Sequence, residues 1–327
     1  MTAPLLSFVV TTHNEAAAIR ATILALDAQT GLPGEAEIVM VDDRSTDGTI
    51  AEAEAAGSTR LSLFRSAPDA GSPLTTRQQA LDLAFRKARG EIVLTVDADS
   101  DIPPDWAARM VAPILQGGHD AVAGPIGFAP LKGPLALWQT LDAAQYHLIS
   151  RAVNGMGAAG GILFGNFAFR RDWYTRVGGF EALGFALTED LAFGNAVHAA
   201  GADIGYAGPG SRIDVRPVPS AGALVRRTLR ISSGPASTLA AVLSVWTLSL
   251  LVLVLMSLVL APLWWLAGLR YVAGMALLLF AVKDRKDPRL MLFIPLHEPL
   301  VYVLGVAVLW SLARGARVGW GGQSYGR

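Results

Sequence analysis

Glu37-Ile-Val-Met-Val-Asp-Asp-Arg-Ser-Thr-Asp-Gly-Thr49 is the stretch whose reading decides how the first half of this chain folds. Its first six residues form a β-branched, apolar run that reads as a buried strand. Asp43 to Gly48 follows as a turn and N-cap cluster, because Asp, Ser and Thr side chains satisfy free N–H groups at a helix start. Thr49 to Ala56 is Ala/Glu-rich helix, and Gly57 closes it as a C-terminal glycine should.

The same unit recurs on either side. Leu6-Ser-Phe-Val-Val-Thr-Thr12 is a strand closed by the polar His13-Asn14-Glu15, and Ala16 to Ala28 has helical spacing. Arg60 to Phe64 is a weaker strand, Arg77 to Ala88 a helix, and Ile92-Val-Leu-Thr-Val-Asp97 another buried strand. Strands alternating with helices at this spacing predict an α/β domain with a mostly parallel sheet covered on both faces. Such sheets bind ligands at the carboxyl ends of their strands. His13-Asn14-Glu15, Asp42-Asp43 and Asp97-Ala98-Asp99 all fall at that rim, a site suited to something cationic or metal-bound.

Residues 120 to 235 are less regular and Gly-rich. Two helices stand out there, Leu135 to Asn154 and Asp190 to Ala200, with Gly155 to Gly161 as a mobile or close-packed loop. The first is a core helix, or alternatively an interfacial one leading a lipid to the site. His147 and His297 read as structural.

From Ser237 the character changes. The chain is 52% hydrophobic and only 17% charged, and the apolar excess lies in residues 236 to 312. Leu239 to Leu260 is long enough to span a bilayer. Leu266 to Val282 is a second candidate, interrupted by Arg270. Leu290 to Ala313 is a third apolar stretch, expected to break at Pro295, His297, Glu298 and Pro299. Arg226, Arg227 and Arg230 precede the first span, and Lys283 to Arg289 follows the second, so both belong on the cytoplasmic side. Arg314 and Arg317 also favour that side. The expected organisation is therefore an α/β domain over 1 to 235, and a membrane anchor over 236 to 327. The anchor has two crossings plus a re-entrant or interfacial segment.

Formal net charge is zero, with 27 basic and 27 acidic residues, so no global field points to nucleic acid. No cysteine is present, which removes thiolate nucleophiles, disulfides and Cys-ligated zinc. The N-terminus lacks a basic flank with an apolar core, so no cleavable signal peptide is expected.

Asp97-Ala98-Asp99 sits where residues i and i+2 can aim at one point, an arrangement that suits a hard divalent cation such as Mg²⁺ or Mn²⁺. Acidic turn clusters are, however, usually solvated loop ends. Asp47 can cap the helix at Thr49 unaided, leaving Asp42 and Asp43 at the strand end without a capping role. Glu189-Asp190 opens a helix; it either complements the helix dipole or supplies a general base.

In order and spacing these pieces resemble the family-2 inverting glycosyltransferases of GT-A fold, of the membrane-anchored, lipid-modifying type. The resemblance covers about residues 5 to 231. It rests on Phe8-Val-Val-Thr-Thr-His-Asn-Glu15, Ile38-Val-Met-Val-Asp-Asp-Arg-Ser-Thr-Asp-Gly-Thr49, and Arg77-Gln-Gln-Ala-Leu81, where the family usually has Lys. Gly90-Glu-Ile-Val-Leu-Thr-Val-Asp-Ala-Asp99, Gly165-Asn-Phe-Ala-Phe-Arg-Arg171, Val177-Gly-Gly-Phe180 and Thr188-Glu-Asp190 continue it. Arg227-x-x-Arg230 fits the first part of the Gln/Arg-x-x-Arg-Trp motif of membrane-bound relatives, with Ile231 in place of Trp. Trp320 to Tyr325 resembles the tail of lipid-modifying members.

The resemblance implies a hexosyltransferase using a nucleotide-diphosphate sugar, a UDP-sugar first, with Mg²⁺ or Mn²⁺. Thr11, Asn14, Glu15, Asp43, Arg77 and Asp97 would bind the donor, Asp43 at the base and Glu15 or its neighbours at the ribose end. Asp97 and Asp99 would hold the diphosphate, Asp99 as the direct metal ligand. Asp190 would be the catalytic base. Gly165, Asn166, Glu189, Arg227 and Arg230 would lie on the acceptor or diphosphate side. The acceptor would be a membrane lipid or lipid-linked molecule, with the catalytic domain facing the cytoplasm at an inner or plasma membrane. A processive polysaccharide synthase subunit and an inactive membrane scaffold are the alternatives. The missing Trp and the few spans weigh against the first, and the intact acids against the second.

Overall fold

The computed structural model describes residues 4–67, 69–234, 236–316, 318–320 and 323–325. The chain opens with β1 (Leu6–Thr12), α1 (Ile19–Asp27), β2 (Ala36–Asp42), α2 (Thr49–Glu54), β3 (Leu61–Arg65), α3 (Thr76–Lys87) and β4 (Ile92–Asp97). It continues through α4 (Trp106–Leu115), β5 (Ala121–Ala123), β6 (Ile126–Phe128), α5 (Gly133–Gly155), β7 (Asn166–Arg170), α6 (Asp172–Arg176), α7 (Gly179–Leu183) and α8 (Glu189–Ala199). Then follow β8 (Ile204–Tyr206), β9 (Ile213–Val215), α9 (Ala221–Ile231), α10 (Thr238–Ser257), α11 (Leu263–Ala281) and α12 (Arg289–Ala313). The short strands β10 (Val318–Trp320) and β11 (Gln323–Tyr325) pair antiparallel at the end.

The main sheet has seven strands in the order β3-β2-β1-β4-β7-β5-β8. β1 to β4 are mutually parallel, whereas β7 runs antiparallel to both β4 and β5. Strand alternation sorts the core into two layers. Leu6, Phe8, Val10, Ile38, Met40, Leu94 and Val96 pack on one face with Trp106 and Met110. Val9, Val39, Val41 and Val93 face the other with Phe85, Phe167 and Phe193. The chain winds outward through β1, β2 and β3 and returns on the other side of β1 as β4. The switch point therefore lies between β1 and β4, where Thr11 is paired with Asp97.

Gly90, just before β4, shows how closely that layer is built. A Cβ there would sit 2.6 Å from the backbone of Leu6 and Ser7, which cannot yield. Gly90→Ala is expected to lower stability by about 1–3 kcal/mol, the usual cost of overpacking. A thermal melt of the solubilised protein checks this.

α5 joins the sheet to the C-terminal helices. Leu137 and Leu141 pack against Leu278, Val282, Leu290 and Ile294, and Trp138 Nε1 donates to the His297 carbonyl at 3.3 Å. The opposite side of α5 serves the sheet domain: His147 Nε2 accepts from the Ile126 N–H at 2.9 Å, and Nδ1 pairs with Tyr206 Oη at 2.5 Å. His147 is thus structural; burial holds its pKa down at about 4. Of the loop after α5, Gly160 and Gly161 are close-packed, since a Cβ at Gly161 would fall on Tyr146 Oη.

Among the described residues α10, α11 and α12 are long and apolar enough to cross a membrane. Their outward faces are the apolar ones: Val245 is 70% exposed, Leu269 68% and Leu292 74%. The expected break in the third segment does not occur, and α12 is one continuous helix through Pro295 and Pro299. A proline at 299 removes the hydrogen bond to the carbonyl of residue 295. Tyr271 Oη of α11 donates to that freed carbonyl. Neighbouring helices commonly rescue prolines in this way. Glu298 likewise has a partner across the helices, Arg270 at 2.9 Å. Both ends of α12 remain near the sheet domain: Arg289 Nη2 donates to the Leu131 carbonyl at 3.2 Å, and β10 beyond its far end lies against α9.

Candidate active site

The carboxyl edge of β1, β2 and β4 gathers most of the residues singled out in the sequence. The loops after β1 and β2 are tied together. Asn14 and Arg44 both adopt left-handed backbone conformations, with φ of 58° and 60°. Asn14 N–H donates to Ser45 Oγ at 2.8 Å, and Asn14 Oδ1 accepts from the Thr46 N–H at 2.8 Å. Asn14 is therefore committed to shaping the rim. Non-glycine residues in this region are uncommon and cluster at functional sites.

Asp42 closes the turn and does not cap the helix: its Oδ2 accepts from the Ser45 N–H at 3.1 Å. Asp47 accepts from the Thr49 N–H at 3.0 Å. Asp43 is buried, and Arg44 grips both its oxygens at 2.7 and 3.2 Å while reaching Thr76 Oγ1 at 2.9 Å. Arg44 escaped notice in the sequence because an arginine in a polar turn carries no signal of its own.

Asp97 and Asp99 leave β4 next to Glu15. Burial, and then the neighbouring Asp97 carboxylate, raise the Asp99 carboxyl above its ordinary range, despite a 3.2 Å hydrogen bond from the Arg216 N–H. Burial and the Asp99 charge act on Glu15 in the same direction. Here is an excess of negative charge that a cation would relieve. Gly165 lies directly against this pair; a Cβ there would come within 2.6 Å of Asp97 Oδ2. Among the described residues no three His, Asp or Glu side chains converge as a metal cage. A carboxylate pair completed by substrate phosphates and water is how Mg²⁺-like ions are usually held. The residues therefore fit a divalent metal that arrives with a diphosphate.

Arg77 bridges the two halves of the site. Its Nε donates to Glu189 Oε1 at 2.5 Å and its Nη2 lies 3.4 Å from Asp97 Oδ1. Glu189 is buried at the start of α8, and this pairing gives it a structural partner. Next to it, Asp190 Oδ1 accepts from the Leu191 N–H at 2.8 Å. Burial, with the adjacent Glu189 charge, pushes the Asp190 carboxyl well above the usual carboxylate range, against the opposing influence of Arg230 and Arg77. Arg227 and Arg230, one turn apart on α9, are half-buried on the site side, whereas Arg226 points outward. Arg227 stacks over Phe128 at 5.1 Å.

Asn166 does not belong to this group. It is fully buried, with Oδ1 accepting from Trp106 Nε1 at 2.9 Å and Nδ2 donating to the Pro125 and Ser211 carbonyls at 2.8 and 2.9 Å. Its place in the Gly165-Asn-Phe motif reflects core hydrogen bonding and not contact with a diphosphate.

A mostly parallel sheet with an acidic pair at its switch point and a separate, charge-poor carboxylate defines a nucleotide-dependent transferase type of site. The chain belongs to glycosyl transferase family 2, whose family model matches residues 7–178, a little over half of its 327 residues. It is 30% identical over 122 residues to the undecaprenyl-phosphate 4-deoxy-4-formamido-L-arabinose transferase of Aeromonas hydrophila, a match covering 36% of this chain and 36% of that protein. The matched region is thus about a third of that relative's length. Among solved structures, the mannosyltransferase PcManGT of Pyrobaculum calidifontis, in complex with GDP-Man and Mn²⁺, is 19% identical. It aligns over 95% of this chain and 88% of its own with a TM-score of 0.60. That likeness shows the fold, the GT-A type expected from the sequence.

Proposed function

We propose that the protein is an inverting, metal-dependent glycosyltransferase that moves a sugar from a nucleotide-diphosphate donor to a lipid acceptor at a membrane surface. The observation that carries this reading is the gathering around Arg77 of the Asp97–Asp99 pair at the sheet edge and the Glu189–Asp190 pair at the start of α8. The membrane-type helices pack against the same domain. The donor's diphosphate lies at Asp97 and Asp99, with Arg227 and Arg230 adding positive charge on the far side. A divalent ion held there supplies charge neutralisation for the departing diphosphate. Arg77 keeps Glu189 and Asp97 in place. Asp190 takes the proton of the acceptor hydroxyl as its oxygen attacks the anomeric carbon. One displacement by the acceptor inverts that carbon. The relatives' substrates, a GDP-sugar for one and an undecaprenyl-phosphate acceptor for the other, support the class of donor and the membrane location.

The anchor is best read as two crossings, α10 and α11, with α12 lying along the interface beside α5. Both ends of α12 then stay on the side of the catalytic domain, together with Lys283 to Arg289. The basic residues on that side support a cytoplasmic orientation under the positive-inside rule.

The raised carboxyl of Asp190 sets a pH dependence. A base works only when deprotonated, and a raised pKa keeps the proton on to higher pH. Transfer is therefore expected to fall as pH drops, along a limb lying well above the ordinary Asp value of about 3.9. A pH profile of kcat with saturating donor measures it. The reading itself is tested by nuclear magnetic resonance of the product's anomeric signal, with and without a chelator. An inverted anomer formed only with metal supports it; a retained anomer, or transfer undiminished by chelation, contradicts it.

A further inference from the structure

A cavity of about 200 Å³ lies between α5, α10 and α12. Asp142, Gln145 and Tyr146 of α5 line it, with Thr247 of α10 and His297 and Glu298 of α12. It has room for a small polyol and not merely one water.

Its polar groups are unusually uncommitted. Gln145 Oε1, Glu298 Oε2 and both ring nitrogens of His297 are buried without a hydrogen-bond partner, and His297 Nε2 has only the Asp142 carboxylate nearby, at 3.6 Å. His297 is 1% exposed, Glu298 8% and Gln145 9%. Buried polar atoms are nearly always paired, and unpaired ones point to something that binds them. The charge is equally informative. Arg270 is committed to Glu298 Oε1 at 2.9 Å, Ser249 Oγ at 2.9 Å and the Trp246 carbonyl at 2.6 Å. Among the described residues no Lys or Arg lines the cavity, whereas Asp142 and Glu298 do, the latter with one oxygen paired to Arg270. A phosphate head, carrying about 1.5 to 2 negative charges, would face two carboxylates there. A hydroxyl group would instead find acceptors.

The cavity also adjoins the base. Tyr146 lines the cavity, its Oη lies against Gly161, and the next residue, Ile162, packs against Gly194, one turn on from Asp190 in α8. The chemistry points the same way. A phosphate is already ionised near neutral pH and attacks without help, whereas a hydroxyl needs a base to take its proton.

Resting on the glycosyltransferase reading above, we infer that the acceptor is a membrane lipid with a neutral, hydroxyl-bearing head group. That head sits in this cavity against Gln145, His297 and Glu298; a polyprenyl phosphate does not. In the transfer the acceptor O–H proton passes to Asp190. The acceptor oxygen forms the new bond to the anomeric carbon, and the bond to the diphosphate breaks with its electron pair leaving on the diphosphate.

The test uses the full chain in phosphatidylcholine nanodiscs carrying either the neutral-lipid fraction of a membrane extract or undecaprenyl phosphate, with labelled nucleotide-sugars and Mn²⁺. Label is expected in a neutral lipid at least tenfold faster than in the phosphate. Gln145→Leu and His297→Phe are expected to raise the KM of the neutral acceptor by about tenfold, the worth of a lost hydrogen bond, with donor affinity retained. Nucleotide binding reports whether each variant is folded, and the near-isosteric Thr247→Val supplies a milder probe of the same wall. Label preferring undecaprenyl phosphate, label in neither lipid while the donor is bound and hydrolysed, or an unmoved acceptor KM in all three variants overturns the inference, though the donor chemistry stands. Failure of every donor to bind overturns the glycosyltransferase reading as well.

Discussion

Asp190→Asn lowers transfer by about 10²–10⁴-fold, the usual worth of a positioned base, while donor affinity stays within about twofold by the same account, because the donor contacts lie elsewhere. The substitution is nearly isosteric. It preserves the acceptor oxygen that takes the Leu191 N–H at 2.8 Å, so the start of α8 is not disturbed. It also removes a carboxyl whose burial disfavours its charge, so the variant should be at least as stable as the parent. Loss of rate with unchanged donor binding and an unchanged melting temperature identifies a chemical role. A parallel loss of donor affinity would instead assign Asp190 to donor binding. Rate and affinity are separable here because a group acting only in the transition state lowers kcat and kcat/KM together.

Arg77→Met has the second large effect, and it is expected first in stability. Glu189 has a side chain only 5% exposed and Arg77 20%, with 2.5 Å between their nearest atoms. Removing one partner of a buried ion pair strands the other, at a cost of about 3–5 kcal/mol. The apparent melting temperature should fall by many degrees, and donor binding with it, because Asp97 loses its 3.4 Å neighbour as well. Arg77→Met combined with Glu189→Gln should recover at least half of the stability, since no charge is then stranded. Arg77→Lys makes a sharper comparison. It keeps the charge that the family usually carries at this position, yet a single ammonium cannot grip Glu189 and Asp97 as the forked guanidinium does. Equal loss in the single and double variants would show that Arg77 acts through something other than this pair.

The second prediction turns on a contact that no local pattern announces. Arg77 and Glu189 are 112 residues apart, and their pairing is a consequence of how α3 and α8 dock. The first hundred residues were legible because β1 and β2 are seven residues long and β4 six. Each is β-branched, and clear turn residues bound it. Residues 121 to 215 were not legible in the same way. β5, β6, β8 and β9 have three residues each, too few to express a period. The motif residues at the strand ends were readable as acids at a rim, and Asp97, Asp99, Glu15 and Asp190 do share that neighbourhood. What a motif could not reveal was how neighbours divide the work. Asn166 faces the core although Gly165 beside it touches the acidic pair, Asn14 shapes a loop, and Arg44 takes up Asp43. The third apolar segment was misread as broken because two prolines and a His-Glu pair looked fatal to a helix. Tyr271 and Arg270 of α11 supply the missing partners, and only tertiary packing could show that.

The most direct test of the central claim follows a labelled sugar out of water. Purified full-length protein is given a panel of labelled nucleotide-sugars, a divalent metal and a membrane lipid extract, and radioactivity is counted in the organic phase. The account predicts label in the lipid phase from one donor, abolished by chelation and by Asp190→Asn. Label that stays in the aqueous phase with every donor, although a nucleotide-sugar binds, would contradict transfer to a lipid.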